Sequence, residues 1–200
     1  MVEREKLKMW GHGINYGSAS PINPKIKTRV IILNGPPESG KDTLTLELKA
    51  RDLITYHSEF KKRIYTIAEA VLGLADYLKF RKLLASRKTK EVPQGFLGGL
   101  SPRGFLIKIS EEWIKPLLGN RYFGYAAAQD LKGSTVFSDG GFQDEIDVLK
   151  ELGYEVIVFK LRKEGCDWGE DSRGYLDEGY WIDVIVGDIE GTIQQMEKFL

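Results

Sequence analysis

The 200-residue sequence predicts an α/β domain, a parallel sheet flanked by helices on both faces. Three observations predict it. Four segments, "TRVIILN" (28–34), "STVFSDGGF" (134–142), "YEVIVFKLR" (154–162) and "WIDVIVGD" (181–188), carry runs that are apolar at successive positions, as strands buried on both faces must be. Segments of helical period separate and follow them. A Gly-rich loop after the first run, the "SDGGF" turn and Arg162 all fall at strand carboxyl ends, where ligands bind in such folds.

In chain order, residues 1–27 read as an irregular N-terminal arm. Gly, Ser, Asn and Pro in "WGHGINYGSASPINPK" interrupt any period. The domain is 28–200. After the first strand a helix runs from Lys41 to Asp52. "FKKRIYTIAEAVLGL" (60–74) has helical spacing ended by Gly73, and "DYLKFRKLLASRKTKE" (76–91) reads as a cationic helix. "VPQGFLGGLSPRG" (92–104) breaks the pattern. "FLIKISEEWIKPLLG" (105–119) and "RYFGYAAAQDL" (121–131) read as two helices, so 56–130 is a largely helical region. "QDEIDVLKELG" (143–153) is a helix capped by Gly153. A polar loop, 163–180, precedes the last strand, and "IEGTIQQMEKFL" (189–200) closes the chain as a helix.

Composition narrows the function. Lys plus Arg and Asp plus Glu are 29 each, and a non-specific nucleic-acid binder is usually basic. One cysteine, Cys166, forms no internal disulfide, which fits a reducing compartment. No apolar run approaches the length of a membrane span, and the charged N-terminus has no apolar signal region. A cytoplasmic protein is expected.

The strongest local signal is Gly35-Pro36-Pro37-Glu38-Ser39-Gly40-Lys41-Asp42-Thr43. A Gly-x-x-x-x-Gly-Lys sequence that follows an apolar strand and opens a helix is the setting a phosphate-binding loop requires. Glycines let backbone N–H groups turn toward phosphate oxygens. The helix N-terminus adds its dipole, and Lys41 brings a point charge to the β- and γ-phosphates. ATP and Mg²⁺ are the cofactors expected. Asp42 stands where such loops carry a hydroxyl. A carboxylate is also a hard oxygen ligand for Mg²⁺, directly or through water, and Thr43 can offer its hydroxyl to the α-phosphate. Asp42 equally suits the first turn of a helix as an acid facing the dipole.

Together with this loop, "SPRGFLIKISEEWIKPLLGNRYFGYAA" (101–127) and "FSDGGFQDEIDVLKELGYEVI" (137–157) resemble the bacteriophage deoxynucleoside monophosphate kinase-like P-loop kinases. That group includes kinases of 5-hydroxymethyluracil in phage DNA. The resemblance spans about residues 29–200 in element order. It implies a P-loop kinase fold with a helical acceptor-binding insert (56–130) and a lid (163–180). It also implies transfer of the γ-phosphoryl of ATP to a deoxynucleotide, in a host cytoplasm if the chain is phage-encoded. Asp after Lys is usual in that family. "SDGGF" departs from the Asp-x-Arg of the free-monophosphate enzymes, so residue 141 lacks an arginine for a substrate phosphate. The leading acceptor is a free deoxynucleoside monophosphate. The rival is a hydroxymethylated pyrimidine in DNA, which the basic 79–90 stretch favours; a nucleotide-binding module without catalysis is the third reading. Oligomeric state stays open.

Candidate residues follow. Asp139, ending a strand, would hold Mg²⁺ or take the acceptor's proton. Arg103, with Ser101 as N-cap, would grip a phosphate with its planar fork. Lys61, Arg63 and Lys115 are further cations for the acceptor, Lys115 at a helix break before Pro116. Trp113 and Phe142 would stack on a base. Gly140 and Gly141 would allow close backbone approach. Arg173 would stabilise the transferring phosphoryl from the lid, and Arg162 would contact ATP. Each has a plainer alternative: a solvated helix face for the cations, core for the aromatics and a tight turn for the glycines.

Overall fold

In the computed structural model, residues 28–169 and 173–200 are described. The expected arm, 1–27, and three residues of the expected lid, 170–172, lie outside the described residues. Five strands form one parallel sheet: β1 (Arg29–Asn34), β2 (Tyr56–Ser58), β3 (Thr135–Phe137), β4 (Glu155–Arg162) and β5 (Tyr180–Asp183). Their order across the sheet is β2-β3-β1-β4-β5. The helices are α1 (Lys41–Ala50), α2 (Lys62–Leu84), α3 (Pro102–Ile107), α4 (Lys115–Leu118), α5 (Tyr122–Gln129), α6 (Gln143–Glu151) and α7 (Ile189–Glu197); a π-helical turn, Lys108–Ile114, joins α3 to α4.

Strand β1 is the centre. Ile31 pairs with Val136 on one side and Ile157 on the other, and Val30 through Leu33 are fully inaccessible. Its side chains alternate between two apolar clusters, as strand geometry requires. Ile31 and Leu33 join Leu44 and Leu48 of α1 and Ile193 and Met196 of α7. Val30 and Ile32 join Ala127 of α5 and Ile146 and Leu149 of α6. Arg51 fastens α1 to α7 by contacts of 2.9 Å to Glu47 and 2.5 Å to Glu190.

A third cluster belongs to the helical region alone. Ile64, Ala68 and Phe80 of α2 pack with Ile109, Ile114 and Phe123, and Phe80 meets Phe105 edge-on at 5.8 Å. This separate core holds the region beside the carboxyl ends of the sheet. The local signals that shape it are simple. Ser101 caps α3 by accepting the Gly104 N–H at 3.0 Å, and Pro102 occupies the first turn, where no donor is needed.

Four sequence expectations need correction. Strand β2 was not expected: "YHS" is polar and half exposed because β2 is an edge strand, and only pairing with β3 defines it. Gly73 breaks the helical geometry (φ 71°, ψ 163°), but the chain resumes helix at once, so 62–84 is one kinked element that ends before the expected 91. Helix does not break before Pro116. The wide π turn ends there, and proline's missing N–H falls in the first turn of α4. Residues 138–142 leave β3 for a turn, as the Gly-rich "SDGGF" led one to expect. The apolar "VIV" after Asp183 also leaves the sheet, with Ile185 and Val186 exposed. Among the described residues, no helix is long and apolar enough to cross a membrane.

Gly124 sets the spacing of α5 on α6. A Cβ there would lie 2.8 Å from the Glu145 carbonyl oxygen and 2.9 Å from Val148 Cβ. Gly124→Ala should therefore destabilise the protein by about 1–3 kcal/mol, the usual cost of overpacking, seen as a lower urea midpoint at unchanged m-value. A midpoint within error of wild type would mean the two helices have room to part.

Candidate active site

The loop after β1 turns back on itself before α1. Glu38 (φ 68°) and Gly40 (φ 94°) take the left-handed conformation. Gly35 has no room for a side chain, since a Cβ would sit 2.7 Å from Ser39 Oγ and 2.9 Å from Leu161 Cβ. Gly40 is the N-cap of α1 and supplies no side-chain acceptor, so the first-turn N–H groups are left to face an anion. The Lys41 ammonium folds over the loop and donates to the carbonyls of Gly35 (2.7 Å) and Pro36 (2.6 Å) and to Ser39 Oγ (3.3 Å). Pro37, Asp42 and Thr43 are exposed. Glu38 is used twice: its carboxylate pairs with Arg87, and its carbonyl accepts Lys163 at 2.9 Å.

Asn34, the last residue of β1, is fully buried. Its amide donates to the Gly174 carbonyl at 3.1 Å and accepts the Leu176 N–H at 3.0 Å. Those bonds tie the end of the 163–180 segment to the start of the loop. Arg173, one residue before, donates to the Asp139 carbonyl at 2.6 Å. Gly140 closes the junction: a Cβ there would lie 3.4 Å from Asn34 Nδ2.

Beside this junction lies a cavity of about 360 Å³, inside the ~300–1,000 Å³ range of small-molecule sites. Of the expected residues, Lys61, Arg103, Lys115, Asp139, Gly141, Phe142 and Arg173 line it. The others lie elsewhere. Trp113 is 47% exposed and outside it. Arg63 pairs with Asp130 at 3.6 Å. Arg162 pairs with Asp183 at 2.9 Å and lies over the Trp181 ring, in a second depression with Lys163, Ile185 and Val186.

Three of the cations that line the cavity are paired with acids. Lys61 meets Glu59 at 3.0 Å, Arg103 meets Glu91 at 3.5 Å and Lys115 meets Glu111 at 2.7 Å. Lys115 also sits 4.0 Å over the Phe142 ring. Asp139 is only 7% exposed. Its two oxygens accept the N–H groups of Phe60 (3.0 Å) and Lys61 (3.1 Å), pinning the entry to α2. Burial pushes the Asp139 carboxyl up, with Lys61 opposing. Burial lowers the Lys61 ammonium, but Asp139 and Glu59 outweigh it and the net shift is upward.

Sequence reasoning passed over Glu145. It occupies the first turn of α6, where an acid is ordinary, yet it is 3% exposed and lines the cavity. Oε2 accepts the Phe142 N–H at 2.8 Å. Burial drives its carboxyl up to about 8, the Phe142 N–H opposes this, and Asp139 adds to it. The available signal was spacing: with Phe142 at the helix entry, Glu145 falls on the face that Ile146 and Leu149 bury. Asn34 and Lys163 were also passed over, and Lys90, expected only within the basic 79–90 stretch, lines the cavity.

Among the described residues, no three His, Cys, Asp or Glu side chains cluster as a metal site. Magnesium bound with a nucleotide takes phosphate oxygens, waters and one or two carboxylates, so a cluster is not required. Asp42, exposed on the first turn of α1, fits that limited demand better than Asp139, whose oxygens already hold the backbone. No protein-family model matches the chain, and a search of curated proteins finds no match.

Glu145 makes stability depend on pH. Between its ordinary value of 4.5 and about 8 the folded protein keeps a proton that the unfolded chain has released. Its contribution to stability therefore falls as pH rises through that window, with a slope of up to ~1.4 kcal/mol per pH unit. Glu145→Gln should gain on wild type as pH rises from 5 to 8, with the gap constant above. Parallel curves from chemical denaturation at pH 5, 7 and 9 would show that the carboxyl titrates normally.

Proposed function

We propose that the protein is a phosphate-loop kinase, with helices covering both sheet faces, that transfers the γ-phosphoryl of ATP to a deoxynucleotide. What carries this reading is the convergence at the Asn34–Gly140 junction. The lysine-bearing loop, the cavity and Arg173 meet there at the carboxyl ends of β1 and β3, where parallel sheets bind ligands. A non-catalytic nucleotide-binding module would need the loop but not an adjoining cavity lined by cations and buried carboxyls.

Mg²⁺·ATP supplies the transferable phosphoryl group. Lys41 leaves the carbonyls of Gly35 and Pro36 for the β- and γ-phosphates, and the first turn of α1 holds phosphate oxygens by its N–H groups. Asp42 is the carboxylate for Mg²⁺. Arg162 and the exposed Ile185–Val186 loop flank the base of ATP. Arg173, held by the Asn34 clamp and the Asp139 carbonyl, faces the charge that spreads over the transferring phosphoryl. Segment 163–180 acts as the lid that keeps water out.

The acceptor is one deoxynucleotide at a time. A free monophosphate would use Lys61, Arg103 and Lys115 as its phosphate grip. A second reading, a hydroxymethylated pyrimidine flipped out of DNA, draws on one observation: each of those cations already faces a carboxylate, which a dianionic phosphate would have to displace.

Labelled ATP offered with each deoxynucleoside monophosphate, and separately with DNA containing hydroxymethyluracil, should give a labelled product with one class. Lys41→Ala should lower its rate by ~10²-fold or more without unfolding the protein; wild-type turnover in a folded variant would sink the kinase assignment.

Salt separates the acceptors further. DNA is held through many phosphates, so activity on it should fall steeply from ~50 to 200 mM salt, whereas a monophosphate should show a modest effect. Lys79 and Arg81 are stacked on Phe96 and Tyr65 and Arg87 pairs with Glu38. Neutralising Lys82 and Lys88, which are exposed and outside the cavity, is therefore the cleaner test of a strand-binding surface, and unchanged activity on DNA would remove that surface from the mechanism.

A further inference from the structure

We infer that Glu145 is the catalytic proton acceptor of the site, and hence that the atom receiving the phosphoryl group is a hydroxyl of the deoxynucleotide rather than a phosphate oxygen. The inference rests on the kinase reading above.

Two carboxyls lie buried against the cavity, and they are not equivalent. Asp139 gives one oxygen to the Phe60 N–H and the other to the Lys61 N–H. Glu145 gives Oε2 to the Phe142 N–H, while Oε1 has no hydrogen bond within the described protein. A nine-tenths-buried carboxyl with one uncommitted oxygen on a ligand-sized cavity is costly for a structural role. A helix-capping acid needs neither burial nor a free oxygen.

Position agrees with the role. Gly141 allows no side chain, because a Cβ would lie 2.6 Å from Phe60 Cε2 and 3.1 Å from Glu145 Oε2. The Gly140–Gly141 turn thus brings the carboxyl up to the junction with the phosphate loop. The groups that face it are Asp139 from the end of β3, and Lys115 and Glu111 from the π turn and α4. Helix α5 sets Gly124 against the Glu145 backbone and Ala127 and Ala128 into the cluster of Ile146 and Leu149, and its Phe123 lines the cavity. Two of the three facing groups are acids, which disfavour the ionised form, and burial adds to them. A base near the working pH is the efficient kind, and Glu145 titrates near 8.

The step balances. The acceptor oxygen forms a bond to the γ-phosphorus as the bond from that phosphorus to the β-bridging oxygen breaks. The electron pair leaves with ADP. The hydroxyl proton passes to Glu145 Oε1 and is released to solvent with the products. A monophosphate acceptor is already an anion near neutral pH and has no proton to surrender.

The test uses the full chain, labelled ATP, free deoxynucleosides, an oligonucleotide carrying hydroxymethyluracil, and the four deoxynucleoside monophosphates. Wild type should phosphorylate a hydroxyl-bearing acceptor, with kcat rising through a pH near 8. Glu145→Gln should lose ~10²-fold or more in kcat, with little change in KM, and should lose the rising limb. Glu145→Asp, which keeps the carboxyl but withdraws it, should be slow yet keep the limb. Phosphorylation of monophosphates alone, or an unchanged pH profile in folded Glu145→Gln, would overturn the inference and leave the kinase standing. ATP binding with no transfer to any acceptor would overturn both.

Discussion

Asn34 is the constraint on which the site depends. It ends the central strand in a place without water, and a buried amide must find partners for both its oxygen and its nitrogen. It finds them in the backbone at Gly174 and Leu176, more than a hundred residues away. That requirement fixes where the chain returns after β4. With the return fixed, Arg173 falls beside the Asp139 carbonyl, and Gly140 packs against Asn34 from the β3 side. Two strand ends and the loop between β4 and β5 are thereby brought to one point by one side chain. Leaving either amide group unpaired would cost on the order of 1–3 kcal/mol, so the clamp is as much a part of stability as of geometry.

The cavity next to it is built against ordinary stability rules. Asp139 and Glu145 are buried acids, and both are pushed toward the neutral form. Apolar residues of similar size would pack there at less cost. Asp139 has a structural return, because it stops the start of α2 and so orients the helical region over the sheet. Glu145 has a smaller one, a single N–H bond that a polar neutral residue could supply. A buried titratable group with so small a structural return is a candidate for a functional role, the one proposed above.

Much of this was legible in the sequence. Consecutive apolar residues at 30–33 and 156–159 marked two-sided burial, and Gly-Lys after the first of them marked the loop. The failures share a cause. Strand β2 exists by pairing with β3, and nothing in "YHS" announces a partner. "VIV" at 184–186 has strand chemistry but no neighbouring strand to receive it. Trp113, read as a stacking residue, lies exposed on the π turn and outside the cavity. Glu145 looked like an exposed helix acid, and only the packing of α5 against α6 buries it.

The pairing of charges bears on how an acceptor would be chosen under the proposed reading. The chain as a whole is neutral, and three cavity cations, Lys61, Arg103 and Lys115, are answered locally by Glu59, Glu91 and Glu111. A site of this kind gains little from long-range attraction of an anion, since paired charges cancel beyond a Debye length of about 8–10 Å. Under the proposed reading, recognition would fall to contact, with the rings of Tyr65 and Phe142 in the cavity wall available to a flat base. Such contacts reject a wrong ligand by leaving buried partners unsatisfied rather than by repelling it at a distance. Lys115 illustrates the arrangement. Held between Glu111 and the Phe142 ring, it stiffens the wall on which a base would lie, and its charge is already answered before any acceptor arrives.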